Sequence, residues 1–215
     1  MTSLGALYTE HHKEGHRLGK TMLGDTRGRL LAEYIGKGKD VLDIGCRDGI
    51  LTEIYAEGNR VLGVDVDEDA LTEARERLNI ETKAFDLTAP WPVQEESFDV
   101  VVAGEVLEHL YFPEKVVERA SSVLRADGLF IGSVPNAFSL KNRLRLFFGK
   151  KKGTPLEDPT HINHFTRGEL LELLRKYFME VEIIPLGRFA FLDTFFPGMF
   201  SFMLFFVARG IKKKS

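Results

Sequence analysis

The chain has 215 residues, 44% hydrophobic and 28% charged, with a formal net charge of −3. That suits one domain with a full core and gives no overall pull toward nucleic acid, so any basic surface must be local. A single cysteine, Cys46, excludes an intramolecular disulfide and fits a reducing, cytoplasmic setting.

The N-terminus, MTSLGALYTEHHKEGH, lacks the long apolar core of a secretory signal. Residues 1–26 are expected to cap a ligand site. His11, His12 and His16 there do not match H-E-x-x-H and are expected on an exposed surface. RGRLLAEYIG (27–36) has helical spacing, and DVLDIG (40–45) reads as a strand ended by glycine. GILTEIYAEG (49–58) reads as a helix closed by Gly58, RVLGVD (60–65) as a second strand and EDALTEARERL (68–78) as a periodic helix. ETKAFDL (81–87) is the third strand, and SFDVVVAGEVL (97–107) opens with the fourth. PEKVVERASSVL (113–124) is a helix with Pro113 near its start, where a missing N–H costs little. GLFIGSVPN (128–136) is the fifth strand. RGELLELLRKYF (167–178) is a helix whose Thr166 and Glu169 spell a capping box. MEVEIIPLG (179–187) and FMLFFVAR (202–209) are the last strands.

This alternation predicts an α/β fold: a seven-stranded, mostly parallel, doubly wound sheet with helices on both faces. The last two strands have no room for a helix between them, so they should pair antiparallel. The stretch 189–208 holds eight of the seventeen Phe. A spanning helix needs about 20 apolar residues, and Asp193, Pro197 and Gly198 interrupt this one. A loop followed by a buried strand is expected. Some Phe of GRFAFLDTFFPGMF should be exposed near the ligand cleft, unless they fill the core under the sheet edge.

Ligands of such sheets sit at the carboxyl ends of the strands. There the chain places Asp43, Asp65, Asp86 and Glu105. A dinucleotide fingerprint lacks its third glycine here, and no G-x-x-x-x-G-K-[ST] phosphate loop occurs. Asp43 and Asp48 would also crowd a phosphate, since like charges about 4 Å apart cost ~1 kcal/mol even in water. An acidic rim suits a ligand with positive charge and no phosphate. S-adenosylmethionine fits, and a carboxylate after the second strand can accept its ribose hydroxyls.

VLDIGCRDG, VLGVD, FDL, FDVVVAGEVLEHL, LRADGLFIGSVPN and DPTHINHFTRGELLELL, in this order over most of residues 39–180, resemble the class I S-adenosylmethionine-dependent methyltransferases. The similarity is greatest to the small-molecule group of ubiquinone-type and sugar or lipopolysaccharide-type enzymes. The resemblance implies that Asp43, Gly45, Cys46 and Gly49 surround the methionine part. It implies Asp65 on the ribose with Val66 beside the adenine, Asp86 on the adenine amino group with Leu87 against the ring, and Glu105 lining the cofactor. One departure is Arg47, where the family writes a middle glycine. Either the turn takes an Arg-compatible conformation, or the side chain points to solvent or meets the cofactor's carboxylate.

Methyl transfer to oxygen needs positioning, often with a base. His109, His161 and His164 are the candidate catalytic residues. His109 could instead fix its turn by bonding backbone. Asp158, His161 and His164 as metal ligands are the weaker alternative, so no metal is expected. The fourth-strand end, Ala103-Gly104-Glu105-Val106, lacks the Asn/Asp-Pro-Pro-Tyr of enzymes acting on bases or amides, which argues against nucleic acid. Residues 136–165 are the expected acceptor lid, basic through Lys141, Arg143, Arg145 and Lys150–Lys152 and apolar through Phe147 and Phe148. A solvated face is the plain reading of that lid; an anionic or lipid-linked acceptor, a peripheral membrane contact or a homodimer is the sharper one. The resemblance thus implies a single domain over 1–215, methylating a hydroxyl of a sugar, lipid-linked or quinone-like small molecule. C- or N-methylation, or an inactive cofactor-binding subunit of a partner, is the alternative.

Overall fold

The computed structural model describes residues 22–212. Most of the expected cap, with its three histidines, lies outside them. Thirteen elements follow: α1 (Gly24–Ile35), β1 (Asp40–Ile44), α2 (Glu53–Ala56), β2 (Arg60–Asp65), α3 (Glu68–Leu78), β3 (Glu81–Ala84), β4 (Phe98–Gly104), α4 (Pro113–Val123), β5 (Leu124–Pro135), α5 (Leu140–Phe147), α6 (Arg167–Arg175), β6 (Phe178–Leu186) and β7 (Met203–Ile211).

The seven strands form one sheet in the order β3-β2-β1-β4-β5-β7-β6. Strands β1–β5 pair in parallel, and β7 runs antiparallel between β5 and β6. The chain order reverses beside β1, which places a crevice at the carboxyl ends of β1 and β4. Strand alternation divides the core between two faces. Leu42, Ile44, Val101 and Ala103 pack with Val116, Val117 and Ala120 of α4 and Leu170 and Leu174 of α6. Val41, Val61, Val100 and Val102 pack with Leu31 and Ile35 of α1 and Tyr55 of α2. Both faces are covered, as the apolar β1 and β4 runs require.

α3 occupies the eleven residues read from its periodicity, with Asp67 accepting from the Ala70 N–H. The capping box of Thr166 and Glu169 is present on α6. Three expectations are revised. The 49–58 helix shrinks to Glu53–Ala56, β3 stops at Ala84, and β5 begins four residues early at Leu124. In the Phe-rich stretch, Phe205 and Phe206 are buried in β7, whereas Phe189, Phe191, Phe195, Phe196 and Phe202 are exposed. Among the described residues no helix is long and apolar enough to cross a membrane.

Candidate active site

Asp43 is the last residue but one of β1 and is almost fully buried. Its Oδ2 accepts the hydroxyls of Thr52 and Tyr55, each at 2.6 Å. Burial pushes its carboxyl up to about 6, although those two bonds pull it down. The pull on Thr52 and Tyr55 folds residues 45–56 back over the strand end. Gly45 and Gly49 both have φ near +70°. A Cβ on Gly45 would lie 2.5 Å from Val106 Cγ2, and one on Gly49 would lie 2.7 Å from Leu78 Cδ1. Both glycines are therefore demanded by conformation and by packing.

Arg47 between them takes a φ of +52°. A non-glycine residue there is strained by about 1–2 kcal/mol. Its Nε donates to Asp48 Oδ1 at 3.0 Å, and its backbone N–H donates to Asp65 Oδ2 at 3.0 Å. The turn thus keeps its shape, with the guanidinium held by the neighbouring acid. Cys46 is buried, with Sγ 2.8 Å from where a Cβ on Gly63 would stand. Burial raises its thiol well above the ordinary range, so it is a packed neutral group.

Asp65 ends β2. Its Oδ1 accepts the N–H groups of Val66 at 2.7 Å and Asp67 at 3.0 Å. With the Arg47 N–H, three backbone donors hold this carboxylate. The Phe85 N–H donates to the Asp65 carbonyl, which brings the chain after β3 alongside. Asp86 Oδ1 there accepts the Thr88 N–H and hydroxyl at 2.7 and 2.8 Å, a local turn. Leu87 is buried, its carbonyl accepting from Trp91 Nε1 and Arg119 Nη1.

Glu105, at the end of β4, has a φ of +63°. Its Oε2 stands 2.5 Å from Nη1 of Arg27, which is 1% exposed. Arg27 is a site residue that sequence reasoning did not single out. Its signal was its register: with Leu31 and Ile35 it lies on the buried stripe of α1.

A 3₁₀ turn, Leu107–His109, follows β4. Glu108 within it is 2% exposed, and neither side-chain oxygen has a hydrogen-bond partner. Burial first, then the nearby Glu105, raises its carboxyl well above the ordinary range. Its backbone carbonyl accepts the N–H groups of Ile162 and Asn163, each at 2.8 Å, which tether the 136–165 segment to the β4 end. His109 Nδ1 lies 3.0 Å from the Thr160 carbonyl and His161 Nδ1 lies 2.9 Å from the Pro155 carbonyl. The two rings meet edge-on, 4.8 Å apart. His164 Nε2 is buried without a partner, and burial lowers its imidazole below the usual value. The structure thus gathers His109 and His161 beside Glu108, which the sequence reading passed over. Among the described residues, Glu108, His109 and His161 are the group that could hold a metal, their ligand atoms within 4.8 Å of one another. The set differs from Asp158, His161 and His164, although Asp158 Oδ2 stands 3.7 Å from His161 Nε2.

The family described as "Methyltransferase domain" matches residues 16–181. A protein of Mycolicibacterium smegmatis named probable S-adenosylmethionine-dependent methyltransferase is 35% identical over 147 residues, covering 67% of this chain and 53% of that protein. A ubiquinone biosynthesis O-methyltransferase of Hydrogenovibrio crunogenus is 33% identical over 132 residues, 56% of this chain and 55% of that one. The chain spans about half the length of the curated relatives it matches. Among solved structures, the Burkholderia thailandensis 1,6-didemethyltoxoflavin-N1-methyltransferase, crystallised with S-adenosylhomocysteine, is similar at a TM-score of 0.69 and 20% identity. That match covers 97% of this chain and 88% of the other. It speaks for the fold; the family match over residues 16–181 speaks for descent, and on it the chain belongs to the methyltransferase-domain family.

Proposed function

We propose that this chain binds S-adenosylmethionine at the carboxyl ends of β1–β4 and methylates a hydroxyl of a small molecule, of the sugar, lipid-linked or quinone-like kind. The observation that carries the reading is the Asp65 carboxylate, fixed by three backbone N–H groups beside a turn of positive φ. A fixed acceptor suits a ribose diol. The surrounding carboxylates of Asp43, Asp86 and Glu105 suit a cationic ligand, and Arg27 and Arg47 are each already turned to a neighbouring acid. Bound S-adenosylmethionine supplies an electrophilic methyl group on its sulfonium. The chain's part is to hold the acceptor and take its proton. His164, with burial holding its ring neutral, is suited to accept that proton, while His109 and His161 are each steadied at Nδ1 by a backbone carbonyl. Residues 136–165 would close over the acceptor, within a single domain. The relatives named ubiquinone biosynthesis O-methyltransferase support oxygen over carbon or nitrogen.

Calorimetry with S-adenosylmethionine tests the cofactor site. A hydrogen bond to a charged acceptor contributes about 1.5–3 kcal/mol, so Asp65→Ala should weaken binding at least about tenfold. Unchanged affinity in a folded variant removes Asp65 from the site. Transfer of a labelled methyl group to a cell extract by the chain alone separates an enzyme from an inactive cofactor-binding subunit.

An acceptor carried on a lipid is favoured by one specific observation. Phe147 and Phe148 are 81% and 69% exposed, beside Lys150–Lys152, in a segment with no acid between Leu140 and Gly153. Exposed aromatics next to unopposed positive charge suit an anionic lipid surface.

A further inference from the structure

We propose that α5, the Lys150–Lys152 turn and the loop between β6 and β7 form one surface that docks on an anionic phospholipid bilayer. The inference deepens the proposed methyltransferase reading and rests on it only for what then enters the crevice, an acceptor delivered from the lipid.

Three observations carry it. The first is that α5 is amphipathic in the reverse sense. Leu140, Leu144, Phe147 and Phe148 recur at helical spacing on one stripe. That stripe faces outward: Leu144, Phe147 and Phe148 are all exposed. The buried residue of the helix is the polar Asn142, whose amide donates to the Asn136 carbonyl at 2.9 Å. By contrast, α4 buries Val116 and Val117, and α6 buries Leu170 and Leu174. A helix that served only to cover the core would be turned as those are.

The second is how the loop is held. Asp193, 6% exposed, accepts the N–H groups of Phe200 at 2.6 Å, Gly198 at 3.2 Å and Ser201 at 3.3 Å. Asn136 Nδ2 donates to the carbonyls of Gly198 at 2.9 Å and Ser201 at 3.0 Å. Buried polar side chains thus fix the backbone, while Phe191, Phe195 and Phe196 stand exposed. Rings held out on a fixed backbone lose little further freedom on meeting a surface. The Leu140 N–H donates to the Met199 carbonyl at 2.7 Å, which sets the loop against the start of α5.

The third is charge. Lys141, Arg143, Lys150, Lys151, Lys152 and Arg188 are exposed on these two segments. The Arg188 guanidinium lies 5.4 Å from the centre of the Phe189 ring. Residues 140–153 contain no acid, and the acid within 187–202 is the buried Asp193. Exposed rings flanked by cations suit a bilayer with anionic headgroups. They suit a second copy poorly, because a two-fold contact through this patch would set like charges against each other. Strands β5 and β6 both run parallel to β4, so both segments leave the carboxyl edge of the sheet, where the crevice opens. Docking holds that edge against the lipid.

The test uses the full chain and vesicles of phosphatidylglycerol and phosphatidylcholine in equal parts, with brominated tails as quenchers. Phe147→Trp and Phe195→Trp should each lose fluorescence on the vesicles, measured over the Trp91 background of the wild type. Met179→Trp, at an exposed position where β6 starts on the opposite edge, should not. Joint Lys150→Gln, Lys151→Gln and Lys152→Gln should weaken the association at least about 100-fold. Raising the salt from about 0.1 M to about 0.5 M should weaken the wild type as well. No association, quenching at 179 equal to that at 147 and 195, or equal affinity for pure phosphatidylcholine overturns the proposal. So does a dimer in sedimentation velocity that Phe147→Ser dissociates, which assigns the face to a second copy. Calorimetry of the lipid-free wild type with S-adenosylmethionine reads the methyltransferase proposal separately. Docking without cofactor binding upholds the surface and sinks that reading, and cofactor binding without docking does the reverse.

Discussion

Replacing Asp43 by Asn removes a titrating proton from the hydrogen-bonded set that folds the first turn onto the sheet. Burial raises this carboxyl from an ordinary 3.8 to about 6. The folded value lies above the unfolded one, so between them the folded state binds the proton more tightly. The resulting stabilisation is full below about pH 4 and is lost as the pH rises through 6. Taking the protein from pH 7 to pH 5 restores about 1 kcal/mol from this group, or roughly 2–4 °C for a domain of this size. Glu108 acts in the same direction, and His164 opposes it, because burial lowers the imidazole and its protonation works against the folded state. Comparing wild type with Asp43→Asn cancels both. Urea denaturation of the pair at pH 7 and pH 5 should show the difference in stability moving by about 1 kcal/mol in favour of wild type at the lower pH. Tyr55→Phe should enlarge the wild-type trend, since the Tyr55 hydroxyl is one of the two groups that hold the Asp43 value down. A wild-type-to-Asn difference that does not change with pH refutes the assignment of the buried charge to Asp43.

Glu105→Ala removes the carboxylate beside a 1%-exposed guanidinium. It should cost about 3 kcal/mol, as breaking a buried pair does, visible as a melting temperature lower by roughly 6–12 °C; a loss under about 1 kcal/mol would mean that Arg27 is served as well without it. Flotation with anionic vesicles should carry the wild-type chain. Phe191→Ser and Phe195→Ser, at residues 67% and 75% exposed, should each weaken the association at least about tenfold, as expected for removing about 1.5–3 kcal/mol of apolar contact. A chain that stays off the vesicles, and sediments as a monomer, assigns these Phe no partner.

What the sequence disclosed was what depends on near neighbours. EDALTEARERL repeats its apolar residues at helical spacing and carries Asp67 as a cap, so both ends of α3 were legible. Thr166 and Glu169 declared the start of α6 in the same way. The carboxylates at the strand ends were legible because strand, turn and helix succeed one another in a fixed pattern. The losses came from distant contacts. GILTEIYAEG has the composition of a longer helix, but Asp43 draws the Thr52 and Tyr55 hydroxyls to itself and leaves only Glu53–Ala56 helical. The apolar residues after Ala84 extend the strand pattern, yet Asp86 caps its own turn with Thr88. That β7 enters between β5 and β6 is a matter of sheet order, on which a local pattern is silent. Glu108 escaped notice because its burial depends on residues 155–163, more than forty positions away.

The two edges of the sheet treat their acidic residues in opposite ways, and the contrast supports the proposed site at the carboxyl edge. At the amino-terminal edge, Asp40 meets Arg60 and Arg125 at 2.7 Å, and Arg125 also meets Asp99 at 2.7 Å. The Arg125 hydrogen bond holds Asp40 below the ordinary carboxylate range. Asp99 is held low as well, by the Asp40 N–H and by Arg125, which together outweigh its burial. That edge is ionised and matched, although Asn79 before β3 and Glu96 before β4 also hold positive φ. At the carboxyl edge, Asp43 and Glu108 are buried and pushed up, Glu108 is unpartnered, and Arg47 and Glu105 hold positive φ without being glycine. Each departure would be removed by an ordinary substitution: glycine at 47, an apolar residue at 108. Strain and unmatched polarity persist where the surrounding structure over-determines them, and they concentrate at sites that act on ligands. Here Asp43 lies one residue from the end of β1, Arg47 in the loop after it, and Glu105 and Glu108 in the loop after β4, flanking the crevice where the strand order reverses.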